Sequence, residues 1–260
     1  MPILDRLGLL FDETGRRDQR GLKSDVCAPN RKYYLVRPSL DYSGRLNRLK
    51  QTGFALDITA DEFERQTYNL RAFLKTTTAI ANLANGFCLP VVIPRASDED
   101  DLGLAMDKFV TGAQDAMRHE FPNREFNSRV SLTGRLVIEE GSRQDRLVSK
   151  LKIRPVVALY YPLALWGFSV DAQREQMAAL PNSLVLCGIR ATSLAEIMYP
   201  DVLARDCHTP AYDCSAAISS TLPDVSYCYK VSSPEVVSFI ERRGSAYAAG
   251  RHSGGLLFLN

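Results

Sequence analysis

The sequence predicts an α+β (or mixed α/β) protein: a central mixed sheet with flanking helices and an irregular, basic N-terminal arm. Three observations predict it. From Lys32 onward, short apolar runs alternate with segments of helical period. Two strand-like runs, 129–140 and 150–161, are consecutive, which breaks βαβ alternation and argues against a purely parallel sheet. The first thirty residues are irregular after one short helix, and GRRDQRGLKSDVCAPNRK (15–32) shows no apolar period. The arm is taken as residues 1–31 and the rest, 32–260, as a single domain. A sub-boundary is placed near 125–128, where FPNREFN is polar and turn-rich.

The elements follow in order. KYYLV and FALDI (54–58) are strand candidates, with one tyrosine of the pair Tyr33–Tyr34 buried and one exposed. Thr59 opens a capping box with Glu62, and Phe63, Thr67, Leu70, Leu74, Thr77 and Ala81 follow at helical spacing to Asn85-Gly86. CLPVVI (88–93) is a buried-type strand. Ser97 with Asp100 begins an acidic-capped helix through Leu102, Ala105, Phe109, Ala113 and Ala116. RVSLTGRLVIEE and KLKIRPVVALYY form a hairpin joined by GSRQDRLVSK, with Pro155 at an edge or bulge. A helix from Ser169 leads to the strand SLVLCGI (183–189), and Ser193 with Glu196 makes another capping box. VSYCYKV (225–231) is a strand. Ser233-Pro234 starts a final helix that Arg242, Arg243 and Gly244 end, and LLFL (256–259) is the last strand.

Bulk properties exclude several classes. The chain has 260 residues, 45% of them apolar and 24% charged, so it folds around a real core. No apolar run reaches the ~18–20 residues of a membrane span. MPILDRLGLLFDETGRR has too short an apolar run for a secretory signal, so the expected compartment is cytoplasmic. Six irregularly spaced cysteines fit free thiols in a reducing compartment. No cofactor motif is present: neither G-x-x-x-x-G-K-[ST] nor G-x-G-x-x-G occurs.

Charge is unevenly spread. The net charge is only +2, but residues 1–50 hold eleven Lys/Arg against six Asp/Glu. Only eight of the 32 basic residues are lysine, an excess of arginine that suits phosphate contact and also follows from a GC-rich coding sequence. Arg16, Arg17, Arg20, Lys23, Arg31, Lys32 and Arg37 interleave with Tyr33 and Tyr34, as in surfaces that track phosphates and stack bases. A second basic set, Arg242, Arg243 and Arg251, brackets a small-residue loop with Gly250 before the last strand. That loop resembles the RNA-holding glycine loop of CRISPR repeat-processing proteins over the tail alone. It lacks their regular G-x-G spacing and assigns no family. DCHTPAYDC (206–214) offers Cys207, His208 and Cys214 as weak metal candidates, short of the four regularly spaced ligands of a structural zinc site. YYPLALWGF (160–168) is core, or else a partner interface.

The expectation is a subunit of a larger assembly that binds single-stranded RNA or DNA and has no catalytic site of its own. Nucleic acid and protein partners, or self-association, are expected, and no membrane. One alternative is a metal-independent RNA endonuclease using His252 as acid or base beside Arg251. Another is a self-assembling shell or filament protein.

Overall fold

The computed structural model describes residues 9–96, 101–127, 131–232 and 236–260. In chain order the elements are α1 (Tyr42–Gln51), α2 (Ala60–Thr76), a 3-10 helix (Thr78–Asn85), β1 (Leu89–Ile93), α3 (Leu102–Glu120), β2 (Glu125–Asn127), β3 (Leu136–Val137), α4 (Arg143–Ile153), β4 (Val156–Trp166), α5 (Val170–Gln176), β5 (Leu184–Leu186), α6 (Ile189–Met198), α7 (Pro200–Leu203), β6 (Ala211–Asp213), β7 (Ile218–Ser219), β8 (Val225–Val231), β9 (Val236–Gly244) and β10 (His252–Phe258). Eight strands make one mixed sheet in the order β1-β4-β10-β6-β8-β9-β2, with β5 also paired to β10, and β3 pairs β7 separately. The mixed sheet with flanking helices is the architecture that the alternating runs predict.

β10 is the hub. Along one side it runs antiparallel to β4. Along the other, residues 252–254 pair parallel with β6 and residues 256–258 antiparallel with β5. All seven of its residues are buried, and each large apolar side chain there contributes about 1.5–3 kcal/mol. The β4–β10 ladder shifts register between Gly254 and Leu256, where Pro162 on β4 has no N–H to give. At this irregularity a Cβ on Gly255 would lie 2.4 Å from the ring of Tyr160, which is itself fully buried. Only glycine fits.

One face of the sheet meets α6. Tyr229 on β8 shares a 2.5 Å hydrogen bond with Ser193, and Tyr199 at the end of α6 donates to the Pro90 carbonyl of β1 at 2.7 Å. Inside this layer Glu196 is 1% exposed, and its Oε2 has no partner among the described residues. Burial pushes its carboxyl well above the usual carboxylate range.

Several local expectations are corrected. The cap signal at Ser233-Pro234 does not open a helix: 236–244 is strand β9, paired with β8 and β2 (233–235 lie outside the described residues). Val236, Val237, Phe239 and Ile240 favour a strand, and two paired neighbours outweigh a local cap. GSRQDRLVSK is not a hairpin. Ser142 caps α4, and Pro155 separates that helix from β4, which is flanked on both sides. Ser193 and Glu196 lie inside α6, not at its start. Within 129–140 only Leu136–Val137 is strand, with 128–130 outside the described residues. KYYLV and FALDI are irregular, Tyr33 being half-buried and Tyr34 exposed. Thr59 caps α2 and Ser169 caps α5 as expected. The acidic helix is capped by Asp101, while Ser97 and Asp100 lie outside the described residues. YYPLALWGF is core, within and just after β4. The six cysteines are free thiols. Among the described residues no helix is long and apolar enough to cross a membrane.

Two outcomes test this packing. Gly255→Ala is expected to cost about 1–3 kcal/mol by overpacking against Tyr160, seen as a lower urea midpoint with unchanged slope. An unchanged midpoint would show that the contact yields. Glu196 holds its proton to higher pH in the folded chain than in the unfolded one. Stability is therefore lost as pH rises from about 4.5 towards the folded value, by about 1.4 kcal/mol for each tenfold difference in proton affinity. Glu196→Gln should match wild type near pH 4 and melt higher than it at pH 8. Parallel curves across that range would contradict the assignment.

Candidate functional site

The two basic segments meet. Gly250 accepts from the Asn30 amide at 2.8 Å and from the Trp166 indole at 2.7 Å. A Cβ on Gly250 would lie 2.7 Å from the Ala28 carbonyl oxygen, so the arm and the loop can approach this closely only at glycine. The Tyr34 amide donates to the His208 carbonyl at 3.0 Å, and the Ala211 amide to the Arg251 carbonyl at 2.9 Å. Residues 28–34, 205–211 and 247–251 are thus joined by backbone hydrogen bonds. Over residues 9–31 the arm is bonded to the domain. Its backbone also bonds Ala164 through Arg17, Gly167 through Cys27 and Ser169 through Asp25, while Glu175 accepts from the amides of Lys23 and Ser24.

The predicted cations divide into two groups. Arg16 donates to the carbonyls of Trp166 and Cys27 and lies 5.2 Å from the Phe168 ring centroid, and Arg17, 6% exposed, donates to the Leu10 carbonyl. Burial lowers both guanidinium pKa values, partly offset by Asp12 at Arg16 and by Asp18 at Arg17. Arg20 pairs with Asp18, and Arg37 donates weakly to the carbonyls of Asn85 and Gly86. Arg243 is ion-paired with Asp213. By contrast Arg31, Lys32, Arg242 and Arg251 are exposed and make no side-chain hydrogen bond or ion pair among the described residues. Lys23 is exposed beside Glu175, and strand alternation sets Arg242 on the face of β9 opposite Arg243.

Each of the three joined segments carries an exposed aromatic ring: Tyr34, His208 and Tyr247. Tyr34 is 49% exposed and Tyr247 is 78% exposed. The rings of Tyr34 and His208 are 6.3 Å apart, and the Arg205 guanidinium lies 4.7 Å from the Tyr34 centroid. Asp206 is the acid here. Burial pushes its pKa up, but Arg205 and the His208 amide hold it below the usual value. Tyr247 and Arg205 are functional candidates that the sequence reading did not single out, since nothing local marks them, whereas Asp206 opens the DCHTPAYDC stretch.

His252 lies in β10, 5% exposed, not in a mobile loop. Its Nδ1 is 3.0 Å from Asp213 Oδ1; an ionised carboxylate only accepts, so Nδ1 carries the proton. Asp213 Oδ2 accepts from Arg243 and, at 2.7 Å, from Gln173, whose Oε1 takes the Ser215 hydroxyl at 2.5 Å. Cys228 completes a buried group whose ligand atoms, with those of Asp213 and His252, lie within 4.8 Å of one another. This donor set does not suit a metal ion. Arg243 already neutralises Asp213, and three donors fall short of the four ligands of a closed structural zinc site. The sequence-derived ligands are separated by environment: His208 is exposed, whereas Cys214 is fully buried and its thiol pushed up by burial. Cys207 Sγ sits 3.8 Å from His208 Nδ1, but two adjacent ligands do not make a site.

Comparison of the chain with protein-family models, with curated proteins and with solved structures finds no match. Function is therefore argued from the site alone.

The Asp213 network gives a direct test. Asp213→Asn leaves a buried guanidinium without its counter-charge and is expected to destabilise the fold by about 3–5 kcal/mol. Adding Arg243→Met should recover part of that loss, measured as urea midpoints of the three chains. A single variant within ~0.5 kcal/mol of wild type would show that the pair is not buried in solution.

Proposed function

We propose that the face formed by residues 28–34, 205–211 and 247–251 binds single-stranded nucleic acid. The observation that carries this reading is the seam at Gly250, which sets unengaged Arg31, Lys32 and Arg251 among exposed aromatic rings. Cations attract the phosphate chain without regard to sequence, and Tyr34, His208 and Tyr247 offer flat surfaces on which unpaired bases stack. Exposed rings suit unstacked bases better than the edges of a closed duplex.

His252 supports this role indirectly. Its imidazole is turned inward to Asp213, while its neighbour Arg251 stays exposed. The pair does not face a common substrate, so the geometry favours binding over cleavage by these two residues. It also disfavours self-assembly through the aromatic segment 160–168, because that segment is occupied within the core.

Fluorescence anisotropy with labelled oligo-dT and oligo-U tests the reading. Binding should weaken with salt. The Arg31→Ala, Lys32→Ala, Arg251→Ala triple variant should bind about one to two orders of magnitude more weakly at low salt, with its log–log salt slope smaller by about 2. Exposed Lys152→Ala should change neither quantity. Wild-type affinity in the triple variant, or salt-independent binding, would end the proposal.

A further inference from the structure

A second feature shares no residue with that face. The start of α4, the end of α5, β5 and residues 215–218 surround a cleft of about 310 Å³, within the roughly 300–1,000 Å³ of small-molecule sites. Ile138, Met177, Val185, Leu186, Ala216 and Ile218 give it an apolar surface. Arg143 from α4 and Arg174 from α5 bring two cations to the same lining. Glu139 is the one acid there, and it is exposed, where water and salt screen it.

Main-chain carbonyls hold both guanidinium groups in place. Arg143 donates to those of Met177, Leu180 and Leu184, and Arg174 to those of Ser215 and Ala217. A guanidinium has five N–H groups, so each keeps donors to spare. Among the described residues neither has a nitrogen that is sealed from solvent without a partner. The spare donors therefore reach accessible space, and the cleft is the space that both residues line. Ser142, whose oxygen takes the Asp145 amide at 3.1 Å, adds its hydroxyl proton to the same lining.

What the pair lacks is a counter-ion. Neither arginine forms an ion pair among the described residues. Burial lowers both pKa values; Arg146, another cation, lowers that of Arg143 further, and Asp171 offsets only part of the effect at Arg174. Positive charge that is held in place, partly desolvated and uncompensated beside an apolar surface is matched by an anion that carries an apolar group.

We infer that this cleft binds the phosphate monoester of a small apolar or aromatic alcohol, its apolar group along Met177, Val185 and Leu186 and its phosphate against Arg143 and Arg174. Two cations match a dianion better than a single carboxylate, and two forks with a hydroxyl suit a head of three terminal oxygens. The inference is independent of the nucleic-acid face.

Naphthyl phosphate, naphthyl sulfate, naphthol and inorganic phosphate are titrated calorimetrically into the full chain at about pH 7.5, where the phosphate ester is largely a dianion. The phosphate ester should bind one to one. The sulfate ester has the same shape and a single charge; it, naphthol and inorganic phosphate should each bind at least tenfold more weakly. Arg174→Gln should weaken the phosphate ester at least tenfold, with folding checked by circular dichroism. Should that variant fail to fold, Ala216→Leu, which adds bulk to the lining, decides by blocking the ester. Absent binding to wild type, equal affinity for any of the three comparison compounds, or unchanged affinity in a folded variant would each overturn the assignment.

Discussion

A single buried carboxylate organises the sheet beside the proposed binding face. Asp213 is fully enclosed in the sheet, where an ionised group persists only if every oxygen finds a donor. Its donors come from three different elements: Arg243 from β9, His252 from β10 and Gln173 from α5. Satisfying that one charge fixes where β9 ends and where β10 begins. The segment between them, residues 245–251, must then cross the same face of the sheet, bonded to α5 through Ser245 and Asp171. That crossing sets Gly250 against the arm and leaves Tyr247 and Arg251 outside. The internal charge network and the external cationic face are two consequences of one constraint.

The arginine content has a structural explanation. Arg16, Arg17, Arg45, Arg124, Arg143 and Arg174 all donate to main-chain carbonyls, several of them at helix or strand ends. A planar fork of five donors serves such clusters better than an ammonium group does. Arginine in this chain therefore acts largely as a staple for irregular backbone, and composition alone overstates the charge available to a polyanion. Of the two basic segments, Arg31, Lys32 and Arg251 stay exposed and unengaged close to where the segments touch.

The sequence carried the fold class and the elements whose periodicity agreed with their surroundings. The apolar run at β1, the capped helix from Thr59, the Ser169 cap and the alternation of β8 all formed where expected. The misreadings have different causes. At 233–244 a cap and proline signal competed with strand pairing, and the pairing prevailed; at 143–153 the expected hairpin gave way to a helix that Ser142 caps locally; at 189–198 the helix starts at Ile189, ahead of the Ser193 cap signal. The candidate site was half legible for a related reason. His252 and Arg251 were marked by the glycine-rich tail and DCHTPAYDC by its ligand types, but the meaning of Asp213 depends on Arg243 and His252 arriving from other strands. No spacing along the chain reveals that meeting. Nor does it reveal that Arg143 and Arg174 line one cleft.

The central claim is that residues 28–34, 205–211 and 247–251 act together as one surface. Amide hydrogen exchange of the intact protein, with and without a saturating single-stranded oligonucleotide, tests it most directly. The account predicts that the three segments gain protection together, while α4 and the start of α6 exchange at their unliganded rates. Protection confined to one of the three, or appearing at α4 and α6 instead, would contradict it.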